Sequence, residues 1–135
     1  MGARLQYAKV IDRQRFYDLG GRVHPKLESK VLLKSEPGRA GAFLVLRGWT
    51  DDHGSFTEQW AIESPAGMTV YRSTPREIHL ATTSHLESLE DEVADLELEF
   101  AADDYNVVFH LDEREVARAR FAVTTSAEAT SAPPS

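Results

Sequence analysis

The chain of 135 residues contains no cysteine. That single absence removes disulfides, thiolate metal sites, iron–sulfur clusters and a cysteine nucleophile. It suits a reducing compartment, so a cytoplasmic location is the expectation. Long apolar runs are missing too. The longest, Ala42-Phe43-Leu44-Val45-Leu46, falls far short of the ~20 residues that cross a bilayer. The N-terminal segment has no apolar core of the kind a signal peptide carries, and Gln6 stands where a myristoylation signal needs Ser or Thr. A membrane partner is therefore not expected. Glycine does not occur after Gly67, which deprives the acidic second half of the tight glycine turn typical of calcium loops.

Catalytic patterns are equally sparse. There is no Gly-x-Ser-x-Gly and no Gly-x-Gly-x-x-Gly, and Gly38-Arg39-Ala40-Gly41 lacks the Lys-Ser/Thr that completes a phosphate loop. The five histidines, His24, His53, His79, His85 and His110, fall into no metal-binding spacing. No arrangement of Ser, His and Asp favours a triad. None of these patterns calls for a cofactor, and the reading leans away from an enzyme without closing that alternative.

What is present begins with charge. The net charge is −7, and it is unevenly spread: +6 over residues 1–50, −13 over 51–112 and zero over 113–135. An acidic chain repels nucleic acid at long range, so no nucleic-acid partner is expected. The asymmetry has two readings. Basic N-terminal strands lie beside acidic middle ones and neutralise them, or the acids form a surface that meets a basic protein.

The periodicity is that of strands. Residues 5–11, 29–35, 42–49, 56–63, 68–71, 78–82, 95–100, 105–111 and 116–123 read as short strands separated by turn residues. Alternation is clearest in the last third, where Leu96, Leu98 and Phe100, then Tyr105, Val107, Phe109 and Leu111, then Ala117, Ala119, Phe121 and Val123 take inward phases. Three such runs suggest a meander, with Arg118 and Arg120 pairing Glu97 and Glu99 across it. Residues 42–49 and 56–63 flank a polar loop and suggest a hairpin. Residues 42–49 are apolar on both faces, which implies cover on both sides, from this chain or a second copy. Asp12 can cap a short helix over 13–19 that places Phe16 and Leu19 on one side and ends at Gly20-Gly21. Over 84–94, Ser84 and Glu87 fit a capping box, and Leu86, Leu89 and Val93 fall at helical spacing, so helical turns are expected there. The architecture expected is a mainly β, antiparallel β-sandwich over residues 1–123, with a small β-barrel as the alternative. The Ser-, Ala- and Pro-rich tail over 124–135 is expected to be disordered.

Three candidate sites follow. The leading reading is a non-enzymatic protein-binding module with an acidic surface at Glu87, Glu90, Asp91 and Glu92, meeting a basic partner; a homodimer through an edge strand is compatible with it. The second is a small apolar ligand held near Trp49, Trp60 and Tyr71. The third is a metal-dependent enzyme using Asp51, Asp52 and His53 on one loop, joined by Asp103 and Asp104 from another.

Overall fold

The computed structural model describes residues 2–24, 26–35, 38–98 and 104–125, with backbone alone at 34, 35 and 125. The order of elements is β1 (Arg4–Asp12), α1 (Arg13–Asp18), β2 (Lys30–Ser35), β3 (Arg39–Ala40), β4 (Phe43–Thr50), β5 (Gly54–Glu63), β6 (Thr69–Arg72), β7 (Arg76–Leu80), β8 (Glu87–Val93), β9 (Tyr105–Leu111) and β10 (Arg114–Thr125). The strands form one continuous path, β6-β5-β9-β10-β2-β1-β4-β8, with β3 attached to β2 and β7 to β5. The path folds over so that β8, β4, β1 and β2 face β10, β9, β5, β6 and β7. Its two ends, at β6/β7 and β8, form no ladder with each other, so the result is a sandwich-like fold and not a closed barrel. Pairing is antiparallel throughout except at β2, which runs parallel to both β1 and β10.

Inward side chains from both halves make the main core: Val10, Phe43, Val45 and Trp49 meet Trp60, Ile62, Val107, Phe109, Phe121 and Val123. A second cluster lies on the outer face of β4, where Leu44 and Leu46 pack with Ile11, Phe16 and Leu27. The double-sided apolar pattern of β4 is thus covered by α1 and the connection after it, within the chain itself. Gly48 permits this cover, because a Cβ there would stand 2.5 Å from the ring of Tyr7 and 2.9 Å from Leu86. Helix α1 follows its sequence signals closely. The Asp12 carboxylate accepts from Arg15 N, and Gly20 and Gly21 return N–H bonds to Tyr17 O and Phe16 O at positive φ, as a glycine C-cap requires. Phe16 is buried, whereas Leu19 is half exposed and does not share its side.

Several sequence expectations are corrected. The segments 42–49 and 56–63 are not a hairpin. β4 pairs with β1 and β8, while β5 pairs with β6, β7 and β9. The connection between them, with Asp51 and Gly54 at positive φ, carries the chain across the sandwich. Both strands then bury their inner faces in the shared core, which a flat hairpin would not achieve. Residues 84–94 are not helical but supply β8, paired with β4 from Phe43↔Val93 to Trp49↔Glu87. The Leu86, Leu89, Val93 spacing also contains a period of two (Leu89, Asp91, Val93), and the ladder to β4 selects it. Nor do the described residues form a three-stranded meander. Residues 95–98 reach β3 through an Arg39↔Glu97 bridge, and β9 and β10 form a hairpin alone. Its turn places Asp112 and Glu113 at positive φ, the geometry of a two-residue hairpin loop. Arg118 consequently pairs with Glu63 and Glu115, and Arg120 lies 3.6 Å from Asp104. Phe100, Asp103 and the tail beyond residue 125 lie outside the described residues; residues 124 and 125 belong to β10.

Candidate functional site

Two seams follow from the way the sheet folds. The first is where its ends meet, between β4/β8 and β5/β7. Position 47 shares the inward phase of Phe43, Val45 and Trp49, and position 58 that of Phe56, Trp60 and Ile62, so a cation and an anion are carried into the core. Arg47 and Glu58 are fully buried. The guanidinium grips the carboxylate twice, Nε to Oε2 at 2.8 Å and Nη2 to Oε1 at 2.6 Å, a fork geometry that suits arginine. The indole N–H of Trp49 donates to Glu58 Oε2 at 2.6 Å. Asp91 completes the cluster from β8. Its Oδ2 accepts from Trp60 Nε1 at 2.8 Å and lies 3.0 Å from Arg47 Nη2, and its Oδ1 takes Arg76 Nη2 at 2.8 Å. Burial pushes the Asp91 carboxyl up, but the Trp60 hydrogen bond and the Arg47 and Arg76 charges outweigh it and hold the group below its usual range. Side chains thus join the two ends of the sheet where no backbone ladder does.

Part of the charge asymmetry of the sequence is neutralised by pairs of this kind. Arg4 meets Asp51, Arg13 meets Glu92, and Arg47 meets both Glu58 and Asp91, each a basic residue of 1–50 with an acid of 51–112.

The predicted site residues are distributed accordingly. Glu87, Glu90, Asp91 and Glu92 all lie on β8 but do not share a face: Asp91 turns inward to the cluster. Glu90 accepts from the Tyr17 hydroxyl at 3.2 Å, Glu92 meets Arg13 at 3.2 Å, and Glu87 meets His85 at 2.9 Å. The negative charge of Glu90 raises the Tyr17 phenol, with burial and their hydrogen bond adding to it. Trp49 and Trp60 are buried and Tyr71 is half-buried, with Trp60 stacked on Tyr71 at 5.5 Å and Trp49 edge-on to Phe109. All three pack in or against the main core, and the two indoles donate to Glu58 and Asp91. On the 51–53 loop, Asp51 is bound by Arg4 at 2.6 Å, while Asp52 accepts from the His53 backbone N–H and lies 3.9 Å from its ring. Among the described residues, no group of three or more His, Asp or Glu side chains is placed to hold a metal ion. Asp104 is at the β9 end near Arg120.

The second seam was not anticipated. β2 lies between β1 and β10, but only at one end. Ile11 and Ala122 flank Lys30, and just before it Ser29 bridges both neighbours: its Oγ accepts from Val10 N and its carbonyl from Ala122 N. From there β1 and β10 run back side by side with no ladder between them, and among the described residues no strand lies between them. Ladder alternation then fixes which groups face the gap. Val10 and Ala122 aim their N–H groups away from β4 and β9, so Ala8 on β1 and Arg118 and Arg120 on β10 do the same with N–H and C=O. The gap is a cleft of about 890 Å³. Its inner wall is Leu5, Ala8, Ala117 and Ala119, which are only partly buried against the main core; Lys9, Arg118 and Arg120 stand at its rim with Glu28 and Asp104.

No protein-family model matches the chain, and no curated protein matches it. The class defined by fold and site is a mixed-sheet, sandwich-like β domain with one seam closed by buried ions and one left open.

Proposed function

We propose that the chain is a non-enzymatic protein-binding module and that it engages its partner at the open seam between β1 and β10. One observation carries this reading: two adjacent strands aim backbone donors and acceptors into a cleft whose inner wall reaches the core. Open strand edges are templates for pairing with another chain, and strand addition is a recurrent mode of peptide recognition. The acidic strand β8 offers a second surface, for a basic partner. It ranks lower because Glu90 and Glu92 already hold Tyr17 and Arg13.

The test compares capture of partner proteins by the wild-type chain, by Ala119→Leu, which fills the cleft, and by Glu90→Lys combined with Glu92→Lys. Folding of each is checked by circular dichroism. Capture lost in Ala119→Leu and kept in the charge variant supports the seam. The reverse pattern moves the function to β8, and capture unchanged in both removes the proposal.

A further inference from the structure

We infer that a cavity between β1 and the connection after α1 binds a small aromatic carboxylate, with the Tyr7 ring as its apolar wall and Arg22 and His24 as its anion partners. The site goes beyond the binding-module reading. Tyr7, Ala8 and Lys9 also border the seam, but the cavity uses no residue of β10, so the two readings stand or fall separately.

The cavity follows from the way β1 is covered. Ile11 is buried with Phe16 and Leu27. Farther back along the strand the cover thins: Tyr7 and Val23 pack at the margin of this second cluster and stay only partly buried. Between them lies a cavity of about 670 Å³, lined by Tyr7, Ala8, Arg22, Val23 and His24 with Gln6 and Lys9. Small-ligand sites span about 300–1,000 Å³.

Tyr7 supplies an aromatic wall that is held in place before any ligand arrives. Its ring lies against Gly48 on β4, where a Cβ would stand 2.5 Å from it. The β1–β4 register slips between Leu5 and Tyr7, and an irregularity of this kind re-aims a side chain. An aromatic guest meets the ring stacked or edge-on, and Val23 adds a second apolar surface.

The charged groups around the cavity have one sign. Among the described residues none of its lining side chains is acidic, in a chain of net charge −7. Arg22 is exposed and makes no hydrogen bond or ion pair among the described residues. Its guanidinium therefore has both prongs for a carboxylate. Lys26 N donates to His24 Nδ1 at 3.2 Å, which leaves the ring proton on Nε2 and makes that nitrogen a second donor. Lys9 is engaged elsewhere and contributes its charge and its aliphatic stem alone.

The probes are naphthoate, its uncharged analogue naphthamide, and acetate, each titrated into the full chain while backbone amides are followed by NMR. Naphthoate is expected to shift residues 6–9 and 22–24. It should bind about fivefold more tightly than naphthamide, the upper range of an exposed ion pair, and more tightly than acetate. Arg22→Gln should lower naphthoate to the affinity of naphthamide and leave naphthamide unchanged. Tyr7→Leu should weaken both aromatic probes; because Tyr7 also packs on β4, Arg22→Gln at its exposed position is decisive alone. Equal affinity for naphthoate and naphthamide overturns the anion half of the inference. Acetate bound as tightly as naphthoate overturns the aromatic half. Shifts centred on residues 117–120 place the probe in the seam and overturn the site, as does the absence of any saturable shift at millimolar ligand.

Discussion

The two seams of this folded sheet solve the same geometric problem in opposite ways. Where β8 approaches β7, no ladder forms, and the join is made by Arg47, Glu58, Asp91 and Arg76 with the indoles of Trp49 and Trp60. Where β1 runs beside β10, the join is made by β2 at one end and by nothing described at the other. The closed seam is expensive to build, because ions withdrawn from water must satisfy one another completely, and it fixes how the halves of the sandwich meet. The open seam keeps small side chains and unlatched backbone, so change is cheap there. A single sheet can thus be tied by side chains along one seam and, among the described residues, run without a ladder along another.

The largest expected effect lies at the closed seam. Glu58→Ala leaves the buried Trp49 indole N–H without its acceptor and takes from the Arg47 guanidinium its two-point partner, leaving it Asp91 and the Val45 carbonyl, and should cost about 3–5 kcal/mol, read from urea unfolding. Replacing Arg47 and Glu58 together with leucine should recover the part of that loss that comes from the unpaired charge, since an apolar pair needs no partner, while the Trp49 indole N–H still lacks its acceptor. A double variant as unstable as the single one would mean that the pair contributes more than mutual satisfaction.

Asp91→Asn should cost about 1–3 kcal/mol and shift tryptophan emission, because Trp60 donates to this carboxylate. It should also flatten the acid limb of stability. The folded carboxyl is held below its usual value, so its contribution is fully present above the unfolded value of about 3.9 and is lost as pH falls through the lower folded value. An unchanged acid limb in Asp91→Asn would contradict that role. Asp12→Ala removes the cap of α1 and should cost about 1 kcal/mol, measured the same way. The smallest effect belongs to the open seam: Ala119→Val should change stability by no more than about 0.5 kcal/mol. A large loss there would show that the cleft is already tightly filled.

Legibility in the sequence divides along the same line. β9 and β10 were readable because every second residue is apolar over seven or more positions. Helix α1 was readable because Asp12 and Gly20-Gly21 mark its ends. β8 was misread because Leu86, Leu89 and Val93 satisfy a helical period while Asp91, an inward residue, breaks the apolar alternation. Its inward phase makes sense only once Arg47 is known to wait for it. A signal did exist: Arg47 and Glu58 each sit in the middle of an otherwise apolar phase, which marks a paired interior charge. The open seam had no such signal. Which strand neighbours which is decided by long-range pairing, and no local pattern at Ala8 or Ala119 records that a neighbour is missing. The apolar outer face of β4 was visible, but its cover, α1 with Leu27, comes from a segment whose docking depends on the same long-range choice.

The most direct test of the account is residue-resolved amide hydrogen exchange on the free chain. Along β10 the account predicts an alternation, with Arg118 and Arg120 exchanging fast and Ala117 and Ala119, bonded into the β9 ladder, exchanging slowly, and with Ala8 fast on β1. Uniform slow exchange across Ala8 and Arg118 to Arg120 would contradict it, because those amides would then already have partners and the seam would be closed.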